Sequence, residues 1–175
     1  MAEPEVDAEL LLDAATIGAR VQELGRELAA DYRGRSPILV AVLRGSSVFL
    51  ADLIRAMHHA GLSPEVDFMI LASYRAGTTS SGQVEVLRDI ETQVKDRDVL
   101  LVDDILESGR TLAFAKDLIS ARGAGNVMTA VLLNKPGHLA ANLEADFEGF
   151  RCPDKFVVGY GMDAGGRLRG LITVK

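Results

Sequence analysis

Between Ala14 and Tyr32 the apolar residues Ile17, Val21, Leu24 and Leu28 recur at intervals of four, three and four. That spacing lines them along one face of a 3.6-residue helix and predicts an amphipathic helix over the segment. Ile38 to Leu43 is different, an unbroken β-branched and aliphatic run between turn residues, which is the pattern of a strand covered on both faces. Helical spacing returns from Val48 to Ala60. The alternation then repeats, with Val66 to Ala72 as a strand, a Gly/Ser/Thr-rich stretch from Ala76 to Gly82 as a long mobile loop, and a hairpin strand around Val84 to Leu87. Val99 to Val102 reads as the next strand and Thr111 to Arg122 as a helix, stopped by Gly123 and Gly125. Val127 to Leu133 and Phe156 to Tyr160 are further apolar runs of strand length. Strands alternating with helices argue for an α/β domain with a mostly parallel central sheet, whose ligands gather at the carboxyl ends of the strands.

Composition narrows this picture. The 175 residues suit one domain spanning 1–175, and 48% hydrophobic content supplies enough apolar surface for a substantial core. A formal net charge of −6 disfavours broad binding to a nucleic-acid backbone, which draws its affinity from clustered cations. Cys152 stands alone, so no intrachain disulfide is expected, and the acidic stretch from Met1 to Glu9 lacks the features of a secretory signal. Apolar runs are cut short by Arg44, Asp52 or the Asp103–Asp104 pair, well below the roughly 18 residues needed to span a bilayer. The expectation is a cytoplasmic protein that engages neither nucleic acid nor membrane. His58, His59 and His138 have no metal-ligand spacing.

The chemistry concentrates in residues 99–112, VLLVDDILESGRTL: buried-strand residues, two adjacent carboxylates, a short loop, and a turn that opens an apolar helix. A loop ending at a helix N-terminus offers unpaired N–H groups and the positive end of the helix dipole, so Ser108, Gly109, Arg110 and Thr111 form a phosphate cradle. Asp103 and Asp104, at the strand end, would repel a phosphate but suit sugar hydroxyls or a divalent cation. The ligand therefore combines phosphate with polyol. Neither Walker spacing nor a GxGxxG turn is present, which argues against ATP and NAD.

This segment resembles the signature of phosphoribosyltransferases, in which the acidic pair contacts the ribose hydroxyls of phosphoribosyl pyrophosphate and the following loop holds its 5′-phosphate. Further segments resemble the hypoxanthine-guanine branch of that family, and the likeness covers most of the chain from Ile38 onward. VLRGSSVFLADL, Val42 to Leu53, sits where the family has Leu-Lys-Gly and a non-proline cis peptide facing pyrophosphate. The resemblance carries that role to Leu43, Arg44 and Gly45, with Arg44 in place of lysine. VLLNKP, Val131 to Pro136, aligns Lys135 with a lysine that faces the purine 6-oxo group. An ammonium only donates, so it suits hypoxanthine, guanine or xanthine and mismatches the 6-amino group of adenine. PDKFVVGYGMD, Pro153 to Asp163, is similar to the acceptor segment: Phe156 inherits stacking on the purine and Val157 a backbone contact to its edge. Asp163 aligns with a magnesium carboxylate and Arg169 with a pyrophosphate-binding arginine. Ser73 and Tyr74 stand where the family's mobile hood over the site begins.

The resemblance thus implies a type I phosphoribosyltransferase fold, with a mobile loop near 73–83 and a small C-terminal hood near 150–175. It also implies Mg²⁺ held by Asp163 with Asp103 and Asp104, a homodimer or homotetramer, and transfer of phosphoribosyl to a 6-oxopurine in purine salvage. The family's general base is an aspartate four residues after the first acid; here the position is Glu107. Glutamate differs from aspartate chiefly in reach, so Glu107 keeps the role of general base in this reading, beside Asp103 and Asp104 as catalytic acids of the site. Two alternatives remain: another base acceptor, or a regulator that keeps the fold and binds RNA.

Overall fold

The structure, a computed structural model, describes residues 9–73, 83–137 and 139–175. Helix α1 (Ala14–Asp31) has the predicted periodicity and is capped by Asp13, whose carboxylate accepts the Thr16 N–H at 2.7 Å. Its apolar stripe is fully buried. Strand β1 (Ile38–Leu43) leads into α2 (Ser47–His59), which crosses α1 so closely that a Cβ on Gly25 would lie 2.5 Å from that of Ala56. The remaining elements are β2 (Glu65–Ser73), β3 (Val84–Arg88), β4 (Asp98–Leu106), α3 (Arg110–Ala121), β5 (Asn126–Asn134) and β6 (Phe147–Arg151).

The strands form one sheet in the order β3-β2-β1-β4-β5-β6, parallel throughout except for the β2–β3 hairpin. Its two faces carry separate apolar layers. Leu39 and Ala41 of β1 join Leu100 and Val102 of β4 beneath α1 and α2, while Ile38, Val40, Val99 and Leu101 face the layer beneath α3. Double-sided burial is why these strands read as continuous apolar runs rather than alternations. Among the described residues no helix is long and apolar enough to cross a membrane.

The order of the strands reverses between β1 and β4, which makes the carboxyl ends of those two strands the topological switch point. There β4 departs from expectation. It does not stop at Val102 but runs to Leu106, so the acidic pair lies within the strand rather than beyond it. Pairing with β1 ends at Ala41–Val102, whereas pairing with β5 continues to Leu106–Asn134. Beyond Val102 the β4 backbone thus has a neighbour on one side only, and a cleft opens on the other.

The C-terminal third departs from the sequence pattern in two places. Phe156 to Tyr160 is not a strand: Gly159 and Tyr160 turn through left-handed φ values of 96° and 49°, which breaks the extended path, although Val157 to Tyr160 are buried. The sixth strand is instead FEGFR, Phe147–Arg151, whose polar and glycine content hides it. This strand lies at the sheet edge, and Arg20 of α1 donates to the carbonyls of Glu148 at 2.7 Å and Gly149 at 3.0 Å while pairing with Glu23 and Glu27.

Asp67 on β2 fastens the connection between β3 and β4. Its carboxylate accepts N–H groups from Phe68, Glu91 and Thr92 at 2.7–2.8 Å. Burial alone would push this acid up, but the donated N–H groups outweigh it and hold the carboxyl below the usual carboxylate range. A depressed value makes the stabilisation full above the ordinary carboxylate pKa of about 3.9 and lost as pH falls through the lower folded value. Asp67→Asn is therefore expected to cost about 1.5–3 kcal/mol near neutrality, the range for hydrogen bonds to a charged group. The gap to wild type should hold from neutrality down to pH 5 and narrow only as pH falls below about 4, read from urea midpoints at each pH.

Candidate active site

The cleft beyond Val102 has a volume of about 570 Å³. The β1–α2 loop gives Leu43, Arg44 and Gly45, β2 gives Ser73, and the β4–α3 segment gives Asp103, Asp104, Glu107, Ser108, Gly109, Arg110 and Thr111. Tyr74, the stretch from Ala76 to Gly82 and His138 lie outside the described residues.

Each wall arises from its local sequence. Gly109 takes φ 74° and ends the loop in a left-handed turn, so that α3 starts at Arg110 with first-turn N–H groups that have no intrahelical acceptor. Ser108 does not cap that helix in the usual way. Its hydroxyl accepts the Arg110 N–H at 3.3 Å, while its carbonyl accepts the N–H groups of Ala140 at 2.9 Å and Ala141 at 3.2 Å, which holds the turn against the segment after β5. On the facing side the Leu43–Arg44 peptide is cis, as the resemblance implies.

Asp103 is 9% exposed. Burial pushes its carboxyl well up, and the neighbouring Asp104 adds to the effect; Asp103 accepts the Asp104 N–H at 2.9 Å and Asp104 that of Ile105 at 3.0 Å. The fit against the opposite loop is tight. A Cβ on Gly45 would lie 1.8 Å from Asp104 Oδ2, so no larger residue fits beside this carboxylate as it stands.

A second recess of about 290 Å³ shares Leu43, Arg44, Gly45 and Asp104 with the first and adds Asp163 and Arg169. Arg169 pairs with Asp163 at 2.9 Å and donates to the Gly161 carbonyl at 2.7 Å, and Asp163 also accepts the Gly166 N–H at 2.6 Å. Asp104 and Asp163 thus border one space, together with Arg44 and Arg169. Among the described residues no group of three or more His, Cys, Asp or Glu converges on a metal position. This donor set suits magnesium, which commonly takes one or two carboxylates and completes its shell with phosphate oxygens and water.

Lys135 is 5% exposed, and its backbone N–H is anchored to the Leu106 carbonyl at 2.8 Å. Its ammonium lies 3.6 Å from Glu107, so the buried cation and the half-exposed acid face the same spot. Phe156 and Val157 are not brought into the large cleft. They line a separate recess of about 130 Å³ with Leu10, Leu11 and Lys155, and the Phe156 ring is 76% exposed. Sequence reasoning misses Tyr160 and Asp52, which meet through a side-chain hydrogen bond. Tyr160 lies inside an apolar run, and Asp52 inside a helix with no motif of its own.

Comparison with known proteins agrees with the geometry. The sequence profile of the family described as "Phosphoribosyl transferase domain" matches residues 7–164. A hypoxanthine-guanine phosphoribosyltransferase of Streptococcus mutans is 39% identical over 163 residues, 93% of this chain and 89% of that protein. The "Bifunctional protein TilS/HprT" of Listeria innocua is 43% identical over 163 residues, but the chain spans only 25% of its length. The crystal structure of a hypoxanthine phosphoribosyltransferase from Staphylococcus aureus superimposes with a TM-score of 0.89 at 35% identity, covering 97% of this chain and 95% of that one. With the Asp103–Asp104 strand end and the Gly109 turn facing the Leu43–Gly45 loop across the switch point, the chain belongs to the phosphoribosyltransferase family, on its hypoxanthine-guanine branch.

Proposed function

We propose that this chain transfers the 5-phosphoribosyl group from phosphoribosyl pyrophosphate to a 6-oxopurine, releasing pyrophosphate. The observation that carries the reading is the pairing of Lys135 with Glu107 beside the Asp103–Asp104 cleft. The 6-oxo group and N7 of a 6-oxopurine are neighbours on one edge of the ring. A buried ammonium next to a carboxylate answers that edge with one donor for the oxygen and one acceptor for the N7 proton.

The chain's own residues then divide the work. First-turn N–H groups of α3, with the Ser108 and Thr111 hydroxyls, cup the 5′-phosphate at the positive end of the helix. Asp103 and Asp104 hold the ribose hydroxyls, and the Asp104 carboxylate favours the positive charge that builds on the sugar as the C1–oxygen bond to pyrophosphate breaks. Arg44, Arg169 and the backbone of the cis loop receive the departing pyrophosphate. Asp163 and Asp104 would hold magnesium together with substrate oxygens and water, and the bound ion supplies charge neutralisation for that leaving group. Lys135 orients the base for attack through its ring nitrogen and Glu107 accepts the N7 proton, while Phe156, in its separate recess, stands outside this arrangement. Most of the rate in this scheme comes from positioning and fixed charge.

A base panel tests it. With phosphoribosyl pyrophosphate and magnesium supplied, hypoxanthine, guanine or xanthine should yield nucleotide. Adenine, which meets Lys135 with a second donor, should fall behind by about 10⁴-fold in kcat/KM, as when a buried polar group is left unpaired. Comparable turnover with adenine would overturn the acceptor assignment, and no turnover with any base would overturn phosphoribosyl transfer.

A further inference from the structure

Tyr160 and Asp52 border neither the large cleft nor the recess beside Asp163, yet both line, together with Arg169, a further recess of about 250 Å³. Tyr160 is 6% exposed and adopts a left-handed φ of 49°, a conformation that non-glycine residues take only where their surroundings hold them. Its hydroxyl donates to the carboxylate of Asp52 on α2, whose other oxygen accepts from Arg55 at 2.9 Å.

The next residue in the chain, Gly161, gives that contact leverage. The Gly161 N–H donates to the Arg169 carbonyl at 2.9 Å, and the Gly161 carbonyl accepts from the Arg169 guanidinium at 2.7 Å. Both backbone groups of Gly161 are therefore spent on Arg169, which in turn pairs with Asp163. On its other flank Gly161 is pressed against the β1–α2 loop: a Cβ there would lie 2.3 Å from the Gly45 carbonyl. Gly161 is thus wedged between the loop with the cis peptide and the arginine that faces it. Helix α2 starts just after that loop and bears Asp52 further along, so the phenol–carboxylate contact ties the C-terminal turn to the same rigid element that carries the opposite wall.

We propose that Asp52 and Tyr160 are positioning residues for the pyrophosphate-binding half of the site, holding Gly161, and through it Arg169 and Asp163, in register with the Leu43–Gly45 loop. The inference rests on the phosphoribosyl-transfer reading and extends it to residues that touch no substrate.

Calorimetric titration of wild type, Tyr160→Phe, Asp52→Asn, Asp52→Ala and the Asp52→Ala/Tyr160→Phe double variant would test it. Inorganic pyrophosphate in magnesium buffer is the probe, and inosine 5′-monophosphate is the control, since its phosphate and base engage the α3 turn and Lys135 instead. Tyr160→Phe should weaken pyrophosphate about fivefold or more and leave the nucleotide within about twofold, and the double variant should be no weaker than the worse single one, the signature of a coupled pair. Asp52→Asn, which keeps an oxygen for the phenol, should recover much of the loss seen in Asp52→Ala. Unchanged pyrophosphate affinity in Tyr160→Phe would overturn the proposal. A parallel loss of both ligands with a lowered unfolding temperature would also overturn it, because a merely structural contact behaves that way. Should wild type bind neither ligand, the phosphoribosyl-transfer reading fails first; should wild type bind both and the variants match it, only the positioning role fails.

Discussion

Glu107→Gln should lower kcat for nucleotide formation by about 10²–10⁴-fold, the contribution of a well-placed general base. The amide keeps the length and shape of the side chain but cannot take the N7 proton. It also leaves the Lys135 ammonium without its partner at 3.6 Å, so the variant should bind a 6-oxopurine at least as readily while turning it over slowly. Glu107→Asp tests the other variable, reach. It retains the carboxylate on an arm shorter by one methylene, and it should stay within about tenfold of wild type if the loop adjusts to bring it up to the base. Turnover of both variants by steady-state assay, with the KM for hypoxanthine alongside, separates these effects. Near-wild-type turnover in Glu107→Gln would mean that the proton leaves through water and that the acid serves Lys135 alone.

Gly45→Ala carries the second large effect. The added methyl would sit 1.8 Å from Oδ2 and 2.6 Å from Cγ of Asp104, closer than any real contact, so the carboxylate or the loop must give way. Gly45 has no left-handed φ, which makes alanine conformationally acceptable and leaves the collision as the cause. Displacing Asp104 by an ångström or so would spoil its hold on the ribose, and misplacement on that scale can cost about 10²-fold in kcat/KM. The expected signature is a raised KM for phosphoribosyl pyrophosphate with a fold intact by circular dichroism. Full activity in Gly45→Ala would show that the Asp104 carboxylate is free to relocate, and its role as a fixed sugar contact would have to be withdrawn.

How far the chain discloses this arrangement depends on whether the relevant signal is local. The doubly buried strands β1, β4 and β5 and the three helices announce themselves through runs and periodicity, because burial on two faces or along one stripe dictates residue type position by position. β6 does not, since an edge strand with Glu148 and Gly149 at its centre lacks both signals. The buried stretch Val157 to Tyr160 misleads for the opposite reason: apolar residues packed by a left-handed turn look like a strand when only hydropathy is considered. The Ser108–Gly109 turn is legible because glycine and hydroxyl residues ahead of a helix have a local physical job. By contrast, the approach of Lys135 to Glu107 and of Tyr160 to Asp52 joins residues 28 and 108 positions apart, and nothing in either neighbourhood specifies its distant partner.

Strand β6 is the outermost strand on its side of the sheet. An unprotected outermost strand offers its backbone as a template on which a neighbouring molecule can polymerise, and long flat edges are the usual seeds of aggregation. On this flank the Arg20 guanidinium already occupies the Glu148 and Gly149 carbonyls and brings Glu23 and Glu27 close by, so an incoming chain would meet paired charges rather than vacant acceptors.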